Sequence, residues 1–241
     1  MTNNATQSWS IIILCYNEED SIKRVVVESI QTLQVISKNK GQIVIVNDGS
    51  SDTSHQIIEE LQKHYTNITY LKHKHNKGIG EALHSGYSNA VEENVIMVSG
   101  DGQFDVKELI PYKNFTEDSF LTFYRVNNHI YNTQRKLLSN INRLINQYFI
   151  GIKLKDVNFT KAYKNVFLKE LNLKTRSSLV ETEICSKLIF LGVTPIQIES
   201  TYQDKSGGKN SGASFKIIKK AIWDVPKLIW VCFRFRRNHK R

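Results

Sequence analysis

Residues 42–52 read QIVIVNDGSSD. A short β-rich run at 42–46 breaks into Asn47, Asp48, Gly49, Ser50, Ser51 and Asp52, residue types that favour tight turns and helix caps. An amphipathic stretch at 53–65 follows, and the same succession recurs on both sides. Further strands are expected at 10–14, 68–71, 95–98 and 120–124, with helical patterns at 21–36, 79–90 and, briefly, 106–112. Strands alternating with amphipathic helices predict an α/β domain with a parallel central sheet flanked by helices. Beyond it, residues 133–149 read as a helix with Leu137, Leu138, Ile141, Leu144, Ile145 and Tyr148 on one face. A helix at 179–191 and a strand at 194–199 complete the pattern, and the Gly/Ser cluster at 206–214 marks a loop.

The 241 residues suit one large domain, and 40% hydrophobic with 23% charged residues excludes a globally disordered chain. The three cysteines, Cys15, Cys185 and Cys232, are far apart and form no C-x-x-C pair, which speaks against a disulfide framework or a cysteine zinc site and for a reducing cytosolic setting. The first ten residues lack the basic and apolar regions of a secretory signal, and no run reaches the ~20 apolar residues of a membrane-spanning helix.

The net charge of +10 is unevenly placed. From Lys205 to Arg241 there are 11 basic residues and one acidic residue, Asp224, so the preceding 204 residues balance. Trp223, Ile229, Trp230, Val231, Phe233 and Phe235 are interleaved with that charge. Such a mixture suits a helix lying on an anionic membrane, where each Lys or Arg contributes about 1 kcal/mol. The other readings are a C-terminal helix packing its aromatics on the domain with a solvated basic face, and nucleic-acid binding. The last is not expected, because no helix-turn-helix, zinc-finger or RRM signature accompanies the charge.

In open parallel sheets, ligands bind beyond the carboxyl ends of the strands. Here four strand ends run into polar clusters: Cys15–Tyr16–Asn17–Glu18–Glu19, Asn47 to Asp52, Asn76–Lys77–Gly78–Ile79–Gly80, and Ser99–Gly100–Asp101–Gly102–Gln103. Each alone has a plain structural reading: a cap at Asp52, a turn at Asn47–Gly49, a bend at Gly78 and Gly80. Four at matching ends describe a pocket for a nucleoside diphosphate. Asp48 can accept hydrogen bonds from a nucleobase, the turn at Gly78 and Gly80 allows close backbone approach, and Asp101 with Gln103 offers oxygen ligands to a hard cation.

This ordered set resembles the family 2 glycosyltransferases of GT-A fold, within them the polyprenyl-phosphate sugar synthases similar to dolichol-phosphate mannose synthase. The resemblance runs from about Ser10 to Gly212. The family's Y-N-E falls on Tyr16, Asn17 and Glu18, and its D-D-G-S-x-D on residues 47–52. Its N-x-G-x-G-x-A falls on Asn76, Gly78, Gly80 and Ala82, and its D-x-D-x-Q on Ser99, Asp101 and Gln103. It implies a nucleotide-diphospho-sugar transferase fold with a Rossmann-like N-terminal part. Residues 1–212 would form the catalytic domain and 213–241 a basic amphipathic helix.

The resemblance also implies residue roles. Tyr16, Asn17, Glu18, Asp48, Gly78, Gly80, Ser99 and Asp101 would hold the donor, a nucleotide-diphosphate sugar. Asp101 and Gln103 would bind Mg²⁺ or Mn²⁺. Arg125 would face the acceptor, with Asp101 and Arg125 as the catalytic pair. Arg135, Ser139 and Lys205 look like the groups that hold the acceptor's phosphate, and Asp156–Val157–Asn158 like the family's D-x-N segment. Glu181 and Glu183 are candidate acceptor-side carboxylates on a predicted helix, with solvated helix charges as the other reading. The implied reaction is inverting transfer of the sugar to a polyprenyl phosphate, on the cytoplasmic side of a membrane met through residues 216–241. Transfer to a glycan hydroxyl, which requires a base such as Glu181, Glu183 or Asp204, and non-catalytic nucleotide-sugar binding are the alternatives. Leu14, Ile79, Ser99 and Lys205 depart from the family's Pro, Lys, Asp and Arg. Ser99 offers a neutral oxygen for a charged one, so the cation is expected to bind more weakly or lean more on the donor diphosphate.

Overall fold

The computed structural model describes residues 7–37, 41–126, 146–201, 203 and 215–239. Strands β1 (Trp9–Cys15), β2 (Gly41–Asn47), β3 (Ile68–Lys72), β4 (Asn94–Ser99), β5 (Ser119–Arg125), β6 (Lys161–Lys164) and β7 (Thr194–Ser200) form one sheet in the order β3-β2-β1-β4-β6-β5-β7. Every neighbouring pair is parallel except those of β6, which runs against both β4 and β5. The helices are α1 (Ile22–Ile36), α2 (Ser54–His64), α3 (Ile79–Asn89), α4 (Asn165–Glu170), α5 (Val180–Phe190) and α6 (Phe215–Asn238). A 3-10 helix spans Val106–Tyr112, and a π-helical turn spans Asn146–Ile150.

The central strands are apolar throughout because both their faces are covered. Ile11, Ile13, Ile43 and Ile45 join one buried cluster with Val26, Ile30 and Leu33 of α1 and Ile58 and Leu61 of α2. The alternate residues Ile12, Val44 and Val46 turn to the other face, in a cluster with Ala82, Leu83 and Tyr87 of α3 and Ile184, Cys185 and Leu188 of α5. The period of two along each strand thus assigns one set of side chains to each helical layer.

Strand order reverses between β1 and β4. The chain leaves β1 for α1 on one face and arrives at β4 from α3 on the other, so the loops at the two strand ends diverge and leave a crevice between them. The antiparallel β6 brings the segment before it, residues 156–160, to the same rim, where β5 and β7 also end.

Each expected strand is present within one residue at either end. Two elements were not expected. β6 reads KAYK, and its two lysines argue for an exposed segment, yet Lys161 and Lys164 are both buried. α4 follows it directly. Of the helix expected at 133–149, residues 133–145 lie outside the described residues, and 146–150 form the π-helical turn. The helix expected at 179–191 is α5.

Candidate active site

The loops after β1 and β2 are laced together. Asn17 adopts a left-handed backbone (φ 56°), one that asparagine tolerates better than most residues. Its N–H donates to Ser50 Oγ at 3.0 Å, and its Oδ1 accepts from the Ser51 N–H at 2.8 Å. The Glu19 N–H donates to Asp52 Oδ2 at 3.1 Å while Glu19 Oε2 accepts from the Thr53 N–H at 3.0 Å. The Glu18 N–H donates to Ser54 Oγ at 3.0 Å, and the Glu18 carbonyl accepts from the Ser21 and Ile22 N–H groups at the start of α1. Much of this pair of motifs therefore builds the rim itself. Tyr16, half-buried, stands at its edge. Cys15, at the end of β1, is buried, which pushes its thiol up to about 11.

Asp48 is 4% exposed and its carboxylate is engaged on both oxygens. Oδ1 lies 2.6 Å from His73 Nδ1 and accepts from the Lys77 N–H at 2.9 Å, and Oδ2 accepts from the Gly78 N–H at 2.8 Å. His73 Nε2 in turn lies 2.9 Å from Ser85 Oγ on α3. Asp48 thus fixes the loop after β3 against the sheet. Gly78 sits at φ 91° and ψ 161°, a conformation open essentially to glycine alone. A Cβ on Gly80 would run into the Arg176 and Ser177 carbonyl groups, so its close approach is to the segment before α5. His73 was not singled out in the sequence, because one histidine between lysines carries no spacing signal.

Across the crevice, Asp101 forms a tight turn: its Oδ1 accepts from the Gln103 N–H at 3.1 Å, and its own N–H points to Ser99 Oγ at 3.5 Å. Asp101 Oδ2 has no partner among the described residues. The Gly100 N–H donates to the Leu14 carbonyl at 2.8 Å, and the Asp48 N–H donates to that of Cys15 at 2.9 Å. Asp48 and Asp101 therefore flank the end of β1 on one rim, two strand spacings or roughly 10 Å apart along the sheet. Asp101, Ser99 and Gln103 present oxygen donors only, which suits a hard cation such as Mg²⁺ or Mn²⁺. Among the described residues no three His, Cys, Asp or Glu side chains gather as a metal cage, so such a cation would draw further ligands from donor phosphates and water.

The other half of the rim is built around Arg125 at the end of β5. Its Nε donates to Asp156 Oδ2 at 2.8 Å, and its guanidinium lies 5.0 Å from the centre of the Phe159 ring. The turn carrying Asp156 and Phe159 is held from within. Lys161, 1% exposed, donates to the carbonyls of Val157 at 2.6 Å and Phe159 at 2.9 Å, and pairs with Glu181 at 3.4 Å. Glu181 also accepts from the hydroxyls of Tyr163, at 2.6 Å, and Tyr87. Burial, with the Glu181 charge beside them, raises both phenols well above their ordinary range. The Gln203 N–H donates to the Gln103 carbonyl at 3.1 Å, so the chain beyond β7 leaves from beside Asp101. Arg135, Ser139 and Lys205 lie outside the described residues.

Glu181 and Glu183 depart from both readings of the sequence. α5 is buried on every side from Val180 to Leu188, and Glu183, 0% exposed, accepts from the Lys174 and Thr175 N–H groups and pairs with Lys187 at 2.6 Å. Neither carboxylate stands at the rim as a base or a solvated charge. Burial alone would raise the Glu183 carboxyl, but hydrogen bonds from Lys187 and Thr175 outweigh it and hold it below its ordinary range. A depressed folded-state value stabilises the fold above the unfolded value of 4.5, and that contribution is lost as pH falls through the folded value. Glu183→Gln is expected to be less stable than wild type at pH 7 and to converge with it below pH 4.5. Urea midpoints across that range check this, and a gap that stays constant with pH would refute it.

Comparison with known proteins bears on this geometry. The family model described as glycosyl transferase family 2 matches residues 10–170, well over half the chain. The chain belongs to glycosyl transferase family 2. The UDP-N-acetylglucosamine–dolichyl-phosphate N-acetylglucosaminyltransferase of Methanococcus voltae is 27% identical to it over 246 residues, covering 88% of this chain and 94% of that protein. The dolichyl-phosphate beta-glucosyltransferase ALG5D of Trichomonas vaginalis is 33% identical over 103 residues, 41% of this chain but only 32% of that protein. Among solved structures, the mannosyltransferase PcManGT of Pyrobaculum calidifontis, in complex with GDP-Man and Mn²⁺, superposes with a TM-score of 0.61 at 13% identity, over 96% of this chain and 74% of that one. Glucosyl-3-phosphoglycerate synthase of Mycobacterium tuberculosis with UDP gives 0.63 at 13% identity, over 95% and 81%. These likenesses establish the GT-A fold.

Proposed function

We propose that this glycosyl transferase family 2 member moves a sugar from a nucleoside-diphosphate sugar to the phosphate of a polyprenyl lipid, with inversion at the anomeric carbon. The observation that carries it is Arg125, a cation fixed by Asp156 and Phe159 on the same rim as Asp101. The kinship with a dolichyl-phosphate transferase along nearly the whole of both chains supports the same acceptor class.

The donor would lie in the crevice between β1 and β4, its diphosphate towards Asp101, with the acceptor entering from the side of β5. An acceptor phosphate oxygen attacks the anomeric carbon. A new carbon–oxygen bond forms, the bond to the diphosphate breaks, and the electron pair leaves with the nucleoside diphosphate. A phosphate nucleophile is already ionised, so the site must orient it rather than deprotonate it. Arg125 suits that task, since a guanidinium binds phosphate through several fixed N–H groups. Asp101, Ser99 and Gln103 would hold Mg²⁺ or Mn²⁺, which when bound offsets charge on the leaving diphosphate. Transfer to a hydroxyl would need a base; Glu181 and Glu183 are committed to the interior, and Asp204 lies outside the described residues.

Losing one charge-assisted hydrogen bond costs about 1.5–3 kcal/mol, roughly a 10- to 100-fold change. Arg125→Gln is accordingly expected to raise KM for the lipid phosphate by about that factor, with donor KM little changed. Steady-state kinetics in both substrates test this. An acceptor KM equal to wild type would remove Arg125 from the acceptor site.

A further inference from the structure

The C-terminal helix α6 has two unlike faces. Leu228, Val231 and Cys232 are buried, and Leu228 and Cys232 join the same core cluster as Ile184, Cys185 and Leu188 of α5. Phe235 meets Phe190 edge-on with ring centres 6.1 Å apart. Arg236 belongs to this side, donating to the Ile150 carbonyl and lying 3.4 Å from Ser186 Oγ. The helix is thus docked on the domain, and the basic residues of its second half divide between the faces.

The opposite face carries Trp223, Trp230 and Phe233, which are 75%, 56% and 64% exposed, with Lys227, Arg234 and Arg237 exposed between them. These positions recur at three- and four-residue steps, so they line one stripe about 21 Å long at 1.5 Å per residue. Arg234 lies 5.1 Å from the centre of the Trp230 ring. Among the described residues neither buried cluster takes in these aromatics, and leaving them in water is costly.

We infer that this stripe is a docking face for an anionic bilayer surface, with Trp223, Trp230 and Phe233 entering the headgroup region and Lys227, Arg234 and Arg237 meeting lipid phosphates. The charge selects this occupant. A second copy packing on the same face would bring like charges together, and the stripe lies along one side of a single helix, unlike the basic groove that tracks a nucleic-acid strand. Aromatics and basic residues on one helical face are the composition of interfacial helices. Among the described residues no helix is long and apolar enough to cross a membrane, so the contact would lie along the surface. Docking of α6 would also hold the domain at the membrane that carries a lipid-linked acceptor. That consequence rests on the lipid-acceptor reading; the docking itself does not.

Two triple variants of the full chain test it: Trp223→Ser/Trp230→Ser/Phe233→Ser and Lys227→Gln/Arg234→Gln/Arg237→Gln. Each is sedimented with vesicles of phosphatidylcholine alone or with phosphatidylglycerol. Wild type is expected on the anionic vesicles only. Each variant should bind them at least tenfold less, with the wild-type unfolding midpoint. Unchanged sedimentation of both would overturn the inference. So would a variant that loses self-association seen by gel filtration, or RNA retention that vesicles do not compete away. With a short-chain, water-soluble polyprenyl phosphate, turnover of both variants should match wild type, while transfer to a long-chain acceptor in vesicles falls. If no acceptor is glycosylated by wild type, the transfer reading fails and the sedimentation result still decides the docking face.

Discussion

Asp101→Asn is expected to leave the protein folded and to lower the turnover number by about 10²- to 10³-fold, the usual cost of losing one group aimed at charge developing in a transition state. The choice of asparagine matters. Asp101 Oδ1 accepts from the Gln103 N–H, and an amide oxygen in its place can still accept, so the tight turn after β4 survives. What disappears is the negative charge at the Oδ2 end. With Ser99 on one side and Gln103 on the other, Asp101 is the only carboxylate among residues 99–103. The loss should appear in kcat more than in donor KM. Normal turnover in this variant would remove Asp101 from the site.

The second large effect is on stability. Lys161→Met is expected to cost about 3–5 kcal/mol, because it leaves Glu181 charged and buried without its ammonium partner. For a chain of this size that lowers the melting temperature by roughly 6–20 °C. The same change frees the Val157 and Phe159 carbonyls, so the turn that holds Asp156 and Phe159 against Arg125 loosens, and activity should fall beyond the stability loss. The double variant Lys161→Met/Glu181→Gln should recover at least about half of the stability, since no lone charge remains. Denaturant titration of the three proteins decides it. A single variant as stable as wild type would show that the pair carries no such weight.

The strands and most helices were legible because β-branched runs and amphipathic stretches alternate along the chain. β6 was not, for a physical reason: KAYK spends its lysines inside, Lys161 on backbone carbonyls and Glu181, Lys164 on Glu93 at 3.1 Å. α5 was expected as a helix, but its complete burial was hidden for the same cause, since its two glutamates read as surface residues until their buried partners, Lys161 and Lys187, are seen. The site was legible as motifs but not as roles. Asp48 read equally as a ligand contact or as turn chemistry, and only its partners, the Lys77 and Gly78 N–H groups, show how far it serves the rim. The C-terminal helix was offered as membrane contact or domain packing. The structure divides it by face: Leu228 and Cys232 pack inward, while Trp223 and Trp230 point out.

Sugar transfer to a lipid phosphate, at the rim shared by Asp101 and Arg125, is tested most directly by mass analysis of the lipid fraction. The full chain is incubated with a panel of nucleoside-diphosphate sugars, Mg²⁺ or Mn²⁺, and a polyprenyl phosphate. One sugar residue added to the lipid phosphate, with matching release of nucleoside diphosphate and both slowed about 10²- to 10³-fold with Asp101→Asn, is the predicted result. Release of nucleoside diphosphate with the lipid mass unchanged across the whole panel would contradict it.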